Sequence, residues 1–355
     1  MTILALLALI LPATPADGPR TFDGRHDIGT INLTVAYFVP ADRMPLPDWE
    51  DRANYFLRRI AAFHDRELGG VSRIVPHLHP VPLVSEHPSS EFRKGDQNAT
   101  YFRTMDEVKS LLGWKPDQAD GFPILLVFSD INWRELDDFR RTRLVDGQEV
   151  HEGHIGGDGR HFPGAESGGA RAIYNPRPGY GMGLVSADGW RVPYSGSDCV
   201  VYHEGIGHAI GLPHPEPGDD SVMGTAQYRW WIHQARLNES QRRKLGGGGE
   251  PDRSHDLFST FSALQSPKAP KVGEPVSLDL TWPEGAKVKA LRVRVQADLF
   301  GPWETIPIQA KGKPPTSVPL KTFDRPTPVS YRVDATLEDG QAAEIWGYFQ
   351  VAKPD

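Results

Sequence analysis

The sequence predicts two structural units: an α/β layer in the first three quarters of the chain and an all-β sandwich in the last quarter. The 355 residues correspond to about two domains of typical size. Hydrophobic residues make up 39% of the chain, which is enough for a buried core and excludes wholesale disorder. Strand and helix patterns alternate in the first part, whereas short runs of β-forming residues separated by Pro and Gly fill the last part.

The first elements follow from hydrophobic periodicity. Apolar residues at alternate positions over 31–39 predict a strand with one buried face. Asp48 then caps a helix whose apolar residues recur at helical spacing, and Gly69 ends it because glycine readily takes the left-handed conformation. Thr104 and Glu107 form a capping-box pattern, which predicts a second helix that begins near Thr104.

The next elements complete the predicted layer. The continuous apolar run 124–128 is typical of a central strand buried on both faces. A Gly-rich segment with several histidines occupies 151–170 and is predicted to be a flexible loop beside the cleft. Two short strands are predicted at 170–174 and 183–186, and a helix at 238–245.

The C-terminal part has a different character. The segment 267–271, Pro-Lys-Ala-Pro-Lys, is predicted to be a linker. Beyond it, six β-type runs of regular spacing predict a sandwich of fibronectin-like size. Their ranges are 276–282, 290–299, 303–309, 317–323, 329–337 and 343–352. The predicted domains are therefore a signal peptide at 1–16, a site-bearing domain at 17–264 and the sandwich at 265–355.

The candidate metal-binding and catalytic residues are concentrated in residues 199–214, Cys-Val-Val-Tyr-His-Glu-Gly-Ile-Gly-His-Ala-Ile-Gly-Leu-Pro-His. A capping-box pattern at Ser195 and Asp198 predicts that a helix begins there and continues through the motif. Gly211 is expected to end this helix and let the chain fold back.

Three histidines of this segment are predicted to meet at one point. His203 and His208 lie on the predicted helix, and His214 follows the turn at Gly211. Three imidazoles can hold a catalytic zinc ion, which keeps its fourth position for water. A carboxylate beside them can take a proton from that water. The sequence therefore predicts one zinc ion held by these histidines, with Glu204 as the general base.

The spacing between the first two histidines is unusual. Residues four apart on an α-helix differ by ~40° in azimuth, whereas residues five apart, like His203 and His208, differ by ~140°. A regular helix would point the two rings apart. We therefore predict a one-residue π-bulge in this turn, which Gly205 and Gly207 make easier to form.

The segment resembles the metzincin zinc metallopeptidases, whose signature is HExxHxxGxxH followed by a Met-turn. His208, Gly211 and His214 match its second half, and Met223 is placed like the Met-turn methionine. The first half reads HExxxH, which is one residue longer. The resemblance implies a zincin-like fold, with Met223 under the metal and peptide-bond hydrolysis by a zinc-bound water that Glu204 activates.

The longer first half is similar to the HExxGH motif of the dipeptidyl peptidase III family. The last zinc ligand of that family is a downstream glutamate, which makes Glu239 the alternative to His214 here. Tyr228, five residues beyond Met223, is a candidate for hydrogen bonding to the oxyanion or the substrate; the alternative is packing with Trp230 and Trp231.

A second metal site is a further expectation. Some metzincins hold a structural zinc or calcium ion in a loop upstream of the active helix. The candidate ligands for such an ion, Zn²⁺ or Ca²⁺, are His151, His154, Asp158 and His161. The alternative for this segment is a flexible loop that binds no ion.

The composition and the N-terminal segment indicate the location of the protein and exclude some classes of binding partner. An apolar run followed by small residues predicts that 1–16 is a cleaved signal peptide and that the protein is secreted or periplasmic. No integral membrane segment is expected in the mature chain. The net charge of −7 leaves no basic surface for nucleic acid. The single cysteine, Cys199, excludes an intrachain disulfide and is expected to be buried.

The leading hypothesis is an exported zinc metallopeptidase that acts on a protein or peptide. Its β-sandwich would bind a surface or a partner. One alternative is a catalytically inactive metzincin-like protein that binds metal or adheres to a partner. Another is a zinc amidase that acts on cell-wall peptides.

Overall fold

The computed structural model describes residues 18–118, 120–156, 159–162, 166–308 and 312–353. Its architecture is mixed α+β, with one largely parallel sheet in the first part and two antiparallel sheets near the C-terminus. The strands of the first part are β1 Thr30–Val39, β2 Arg73–Leu78, β3 Leu83–Val84, β4 Phe122–Ser129, β5 Thr142–Val145, β6 Gln148–His151, β7 His154–Ile155, β8 His161–Phe162, β9 Ala170–Asn175 and β10 Tyr180–Val185. The α-helices are α1 Trp49–Leu68, α2 Ser89–Phe92, α3 Gln97–Leu112, α4 Ala187–Trp190, α5 Ser197–Tyr202, α6 Glu239–Lys244 and α7 Leu257–Thr260.

The main sheet has the strand order β2-β1-β4-β10-β9, and β3 also pairs with β1. All of its pairings are parallel except that of β9, which runs antiparallel to β10 at the edge. The predicted face of β1 is buried against α1 and α5, as Leu33 and Val35 illustrate. Its other face, with Ala36 and Phe38, is buried under α3. The strand β4 is buried along its whole length, as its apolar run predicts.

Helix ends agree with the sequence only in part. Gly69 ends α1 with φ 62°, as predicted. The prediction that α3 begins at Thr104 is wrong, because the Asp96 side chain accepts a hydrogen bond from the backbone N–H of Ala99 and starts the helix there. Thr104 lies inside the helix, where its hydroxyl donates to the Thr100 carbonyl.

Two predicted side-chain caps are also absent. Asp48 precedes α1, but its carboxylate binds the Arg52 guanidinium and the Trp303 indole N–H, each at 2.8 Å, rather than the helix backbone. The helix α5 begins at Ser197 after Gly196, which has φ 110°, so the capping box predicted at Ser195 does not form.

The C-terminal region is all β, as predicted. Its strands are β11 Ser262–Ser266, β12 Pro275–Thr281, β13 Val288–Gln296, β14 Glu304–Ile306, β15 Ser317–Thr322, β16 Thr327–Leu337 and β17 Ala342–Val351. They form one sheet of order β11-β12-β15 and another of order β14-β13-β16-β17. Leu278 of the first sheet and Val333 of the second belong to one buried cluster, so the two sheets enclose a shared core.

The two regions are joined by buried side chains. Trp346 and Tyr348 of β17 belong to the same hydrophobic core as α1 and β1. In return, Trp231 of the first region packs into the core of the C-terminal sheets, and its indole N–H donates to the Trp346 carbonyl at 3.1 Å. The strand β11 continues across the predicted boundary between residues 264 and 265.

The predicted signal peptide, residues 1–16, lies outside the described residues. Within the ranges that the structure describes, no helix has the length and apolar character needed to cross a membrane.

Candidate metal centre

The predicted π-bulge is present. The helix α5 passes into a π-helical turn at His203–Gly207, which we call the π turn, and then into one 3₁₀ turn at His208–Ile210. Gly211 ends the segment with φ 89°, as predicted. The wider turn absorbs the extra residue between His203 and His208, so both rings point to the same side of the segment.

The π turn lies directly on the backbone of β10. A Cβ added at Gly183 would lie 2.7 Å from the carbonyl oxygen of Glu204 and 3.0 Å from the Cα of Gly205. Only glycine permits this approach, because both neighbouring atoms belong to backbone. A glycine inside a strand pattern is the signal that could have predicted this contact from the sequence.

The three predicted histidines form one cluster. The Nε2 atoms of His203 and His208 are 2.9 Å apart, and those of His208 and His214 are 3.2 Å apart. His203 is buried, His208 is half-buried and His214 is exposed. The cluster is therefore anchored in the core and open to solvent on the side of His214.

The second nitrogen of two of these rings is held by the backbone. His203 Nδ1 lies 3.0 Å from the Val222 carbonyl oxygen, and His208 Nδ1 lies 2.7 Å from the Leu212 carbonyl oxygen. A carbonyl can only accept, so each Nδ1 carries the proton and donates it. In each neutral ring, Nε2 then carries a lone pair that points towards the other ring. Imidazole rings that bind a metal ion through Nε2 have the same protonation state.

This donor set fits a metal ion. Two lone pairs at 2.9 Å repel each other unless a cation lies between them. Burial lowers the pKa of His203 to about 3, so protonation of that ring does not supply the cation at neutral pH. Two nitrogens that share an ion at a bond length of 2.0–2.1 Å can be at most about 4.2 Å apart, and both separations above satisfy this limit. The cluster could therefore hold a metal ion, and imidazole donors suit zinc, copper, iron and nickel.

Met223 lies beneath the π turn. The side chain is fully buried, and a Cβ added at Gly207 would overlap its Sδ and come within 2.7 Å of its Cε. The adjacent Val222 supplies the carbonyl that binds His203, so this segment both supports the turn and orients one ring.

Glu204 belongs to the π turn and faces the edge strand. Its carboxylate accepts a hydrogen bond from the backbone N–H of Ala172 in β9. Burial raises the pKa of Glu204 to about 7, although the nearby Arg171 guanidinium and the Ala172 N–H oppose this rise. A carboxylate with a pKa near neutrality can both accept and release a proton.

A buried ion pair holds the start of α5, and sequence reasoning missed it. Asp198 accepts a 2.6 Å bond from Arg59 Nε, and its other oxygen accepts from the backbone N–H groups of Cys199 and Ile232. Arg59 also lies 2.7 Å from His233 Nδ1. The partners come from α1 and from the segment after Met223, so no local sequence pattern could reveal them. Cys199 is buried, as predicted.

Glu239, the alternative third ligand, is not one of the donors that meet in the cluster. Tyr228 ends a 3₁₀ turn at Thr225–Tyr228 and is 56% exposed. Glu239 pairs with Arg243 on α6, and His214 takes the third position in the cluster.

The second predicted metal site lies partly outside the described residues. Among these residues, His203, His208 and His214 are the only group of three or more donors that could hold an ion. His151 ends β6 and His154 begins β7, which pairs with β8 at His161, while Asp158 lies outside the described residues.

Comparison with known proteins adds little to this geometry. No family model matches the chain, and no curated protein matches it. Among solved structures, the chain is similar to CopC from Methylosinus trichosporium OB3b, with 16% identity, a TM-score of 0.20, and coverage of 27% of this chain and 96% of CopC. A TM-score this low supports no inference about fold or ligand. The class of site is therefore defined by its own residues: a candidate three-histidine metal centre in a mixed α+β protein.

Proposed function

We propose that this protein is a zinc-dependent peptidase with a zincin-like site, in which His203, His208 and His214 hold the ion. The observation that carries the proposal is the convergence of three Nε2 atoms in the same turn that contains Glu204. A protein that only stored metal would gain nothing from a buried carboxylate that is not one of its ligands. The exposed side of the cluster leaves room for a substrate.

The zinc ion and the protein residues would have separate roles in peptide hydrolysis. When bound, zinc polarises a carbonyl oxygen and lowers the pKa of a water molecule. Glu204 accepts the proton of the attacking water and returns it to the leaving amine. The N–H of Ala172 fixes the orientation of the Glu204 carboxylate, and the Val222 carbonyl fixes the ring of His203. Both supports are backbone groups of packed elements, so they hold their positions without side-chain rearrangement.

A peptide is favoured as the substrate by the position of β9. This strand is the edge of the main sheet, and no described strand pairs with its outer side. Extended peptides bind to such an edge by adding a strand. Since Ala172 of β9 contacts Glu204, a peptide bound along this edge passes beside the general base. The proposal includes export, which depends on the signal peptide predicted at 1–16, and a surface- or partner-binding role for the C-terminal sheets.

The test compares wild type with Glu204→Gln. Zinc content is measured by elemental analysis of purified protein, and hydrolysis of unfolded casein is measured with and without 1,10-phenanthroline. We expect one zinc per chain in both proteins, and a loss of hydrolysis by about 10²–10⁴-fold in Glu204→Gln. Glu239→Gln is the matched control, because Glu239 is exposed and pairs only with Arg243 among the described residues.

Each outcome has one meaning. Wild type that holds zinc but shows no chelator-sensitive hydrolysis of casein or of peptide libraries would favour the metal-binding alternative. Activity restricted to cell-wall peptides would favour the amidase. Wild type without a transition metal after loading would refute the metal centre itself.

A further inference from the structure

Arg171 on β9 has no ion-pair partner among the described residues, although its charge acts on Glu204 at longer range. No carboxylate of the described residues forms a salt bridge with it, and its one hydrogen-bond partner among these residues is the neutral side chain of Asn98. Its Nε is buried and has no hydrogen-bond partner in the described part of the chain. By contrast, the buried arginine Arg59 is paired with an aspartate. An unpaired guanidinium in a half-buried position is costly, because burial penalises its charge.

Aromatic rings fix the orientation of this guanidinium. Its Cζ lies 5.5 Å from the ring centre of Tyr101 and 5.8 Å from that of Phe102, both on α3. Rings that cover the face of a guanidinium leave its N–H edge free to donate. The N–H groups of that edge form a planar fork that matches the two oxygens of a carboxylate. Phe102 is itself 43% exposed, so the rim beside the guanidinium is apolar and open to solvent.

The position of Arg171 on β9 places it next to a residue that contacts the candidate metal centre. Arg171 immediately precedes Ala172, whose N–H binds the Glu204 carboxylate. Ala172 pairs with Gly183 of β10, and Gly183 lies directly against the backbone of Glu204 and Gly205. Side chains of adjacent strand residues point to opposite faces. Arg171 therefore borders the α3 side of the strand edge along which a peptide would lie.

We propose that Arg171, with Asn98 and Phe102, forms a subsite that binds a carboxylate of the substrate close to the bond that is cut. The carboxylate belongs either to an acidic side chain or to the C-terminus of the peptide, and both offer the same planar oxygens. This inference depends on the proposed peptidase function and adds an acidic-group preference to it.

The test uses ten-residue peptides with blocked ends, in which a single Glu is moved through a neutral sequence, each paired with the Gln peptide. A second set carries a free C-terminal carboxylate in place of the amide. For wild type we expect kcat/KM to favour the acidic peptide over its neutral partner by about 10-fold or more at one position. Preference at an internal position identifies a side chain, and preference for the free acid identifies the C-terminus.

The variants separate recognition from catalysis. Arg171→Gln should bring the ratio of kcat/KM between acidic and neutral peptides to about 1 while zinc content is retained, and Arg171→Lys should keep part of the preference. Any effect of the lost charge on Glu204 changes the cleavage of both peptides alike and leaves this ratio unaffected. Arg177→Gln, an exposed arginine on the β9–β10 connection, is the matched control and should keep the full preference. Raising the ionic strength should reduce the preference in wild type, because exposed charge pairs are screened by salt.

Binding provides a readout without turnover. Fluorescence anisotropy with Glu204→Gln measures the Kd of the acidic and neutral peptides, and the acidic peptide should bind about 10-fold more tightly only when Arg171 is present. Equal Kd values would overturn the subsite even if no peptide were cleaved. Cleavage without any acidic preference would overturn the subsite and leave the peptidase proposal standing. Absence of cleavage with unequal Kd values would count against the peptidase alone.

Discussion

Gly207 and Met223 allow a quantitative test of how the π turn is supported. Gly207 has helical angles, φ −52° and ψ −63°, so an alanine there meets no backbone strain. On conformational grounds alone, Gly207→Ala should stabilise the turn by about 0.5–1 kcal/mol. The obstacle is Met223, because the new Cβ would overlap its Sδ and come within 2.7 Å of its Cε.

The size of the effect follows from this overlap. Carbon atoms in contact are normally about 3.5–4.0 Å apart, so the new methyl is about 1 Å too close to Cε. Overpacking of a buried site costs about 1–3 kcal/mol. Met223 is fully buried, so its thioether can move away only if the surrounding core side chains repack. Gly207→Ala should therefore lower the free energy of unfolding by up to about 2.5 kcal/mol in wild type, after the conformational gain is subtracted.

A double-mutant cycle isolates the contact. In a Met223→Ala background the overlap disappears, so Gly207→Ala should stabilise the protein by about 0.5–1 kcal/mol. The effect changes sign, and the coupling energy, which equals the cost of the overlap, is about 1–3 kcal/mol. The free energy of unfolding of all four proteins is measured by urea denaturation without metal, and zinc affinity is measured separately. An equal loss in both backgrounds would refute the packing of Met223 against the π turn.

Three further predictions test the surroundings of the site. Gly183→Ala should lower the free energy of unfolding by about 2–4 kcal/mol and weaken zinc binding, since its methyl would meet the backbone of Glu204; urea denaturation and zinc titration measure both effects. Burial lowers the pKa of His64 to about 3, so stability should fall as pH drops from 6.5 towards 3, because only the unfolded state takes up the proton. His64→Gln should reduce that slope by about 1.4 kcal/mol per pH unit in urea titrations at several pH values. Removal of 265–355 should abolish the cooperative unfolding transition in calorimetry, because Trp346 belongs to the core of the first region; a folded, zinc-binding fragment would contradict this.

Much of the fold could be predicted because its elements have regular periodicity. The alternation in β1 and the apolar run of β4 correspond to buried strands, and all six C-terminal runs are strands. Helix starts were predicted less well. Asp96 caps α3 in place of Thr104, because capping patterns recur by chance and the packing of the helix decides which one is used.

The candidate metal centre was likewise predicted only in part from the sequence. The types and spacing of His203, His208 and His214 predicted a shared metal position, and the five-residue spacing predicted the π turn that brings two of the rings together. The metzincin assignment and the zinc peptidase function remain proposals, because the folded chain tests only the geometry of the donors.

The sequence alone determined which residues meet and how the backbone between them must be distorted, because both follow from the number of residues per helical turn. Only the tertiary structure decided what holds that distortion in place. The Gly183 backbone contact, the Asp198–Arg59 ion pair and the Met223 support join segments that are distant along the chain. Periodicity reports only on neighbours within a few residues, whereas long-range packing depends on the positions of all the elements at once.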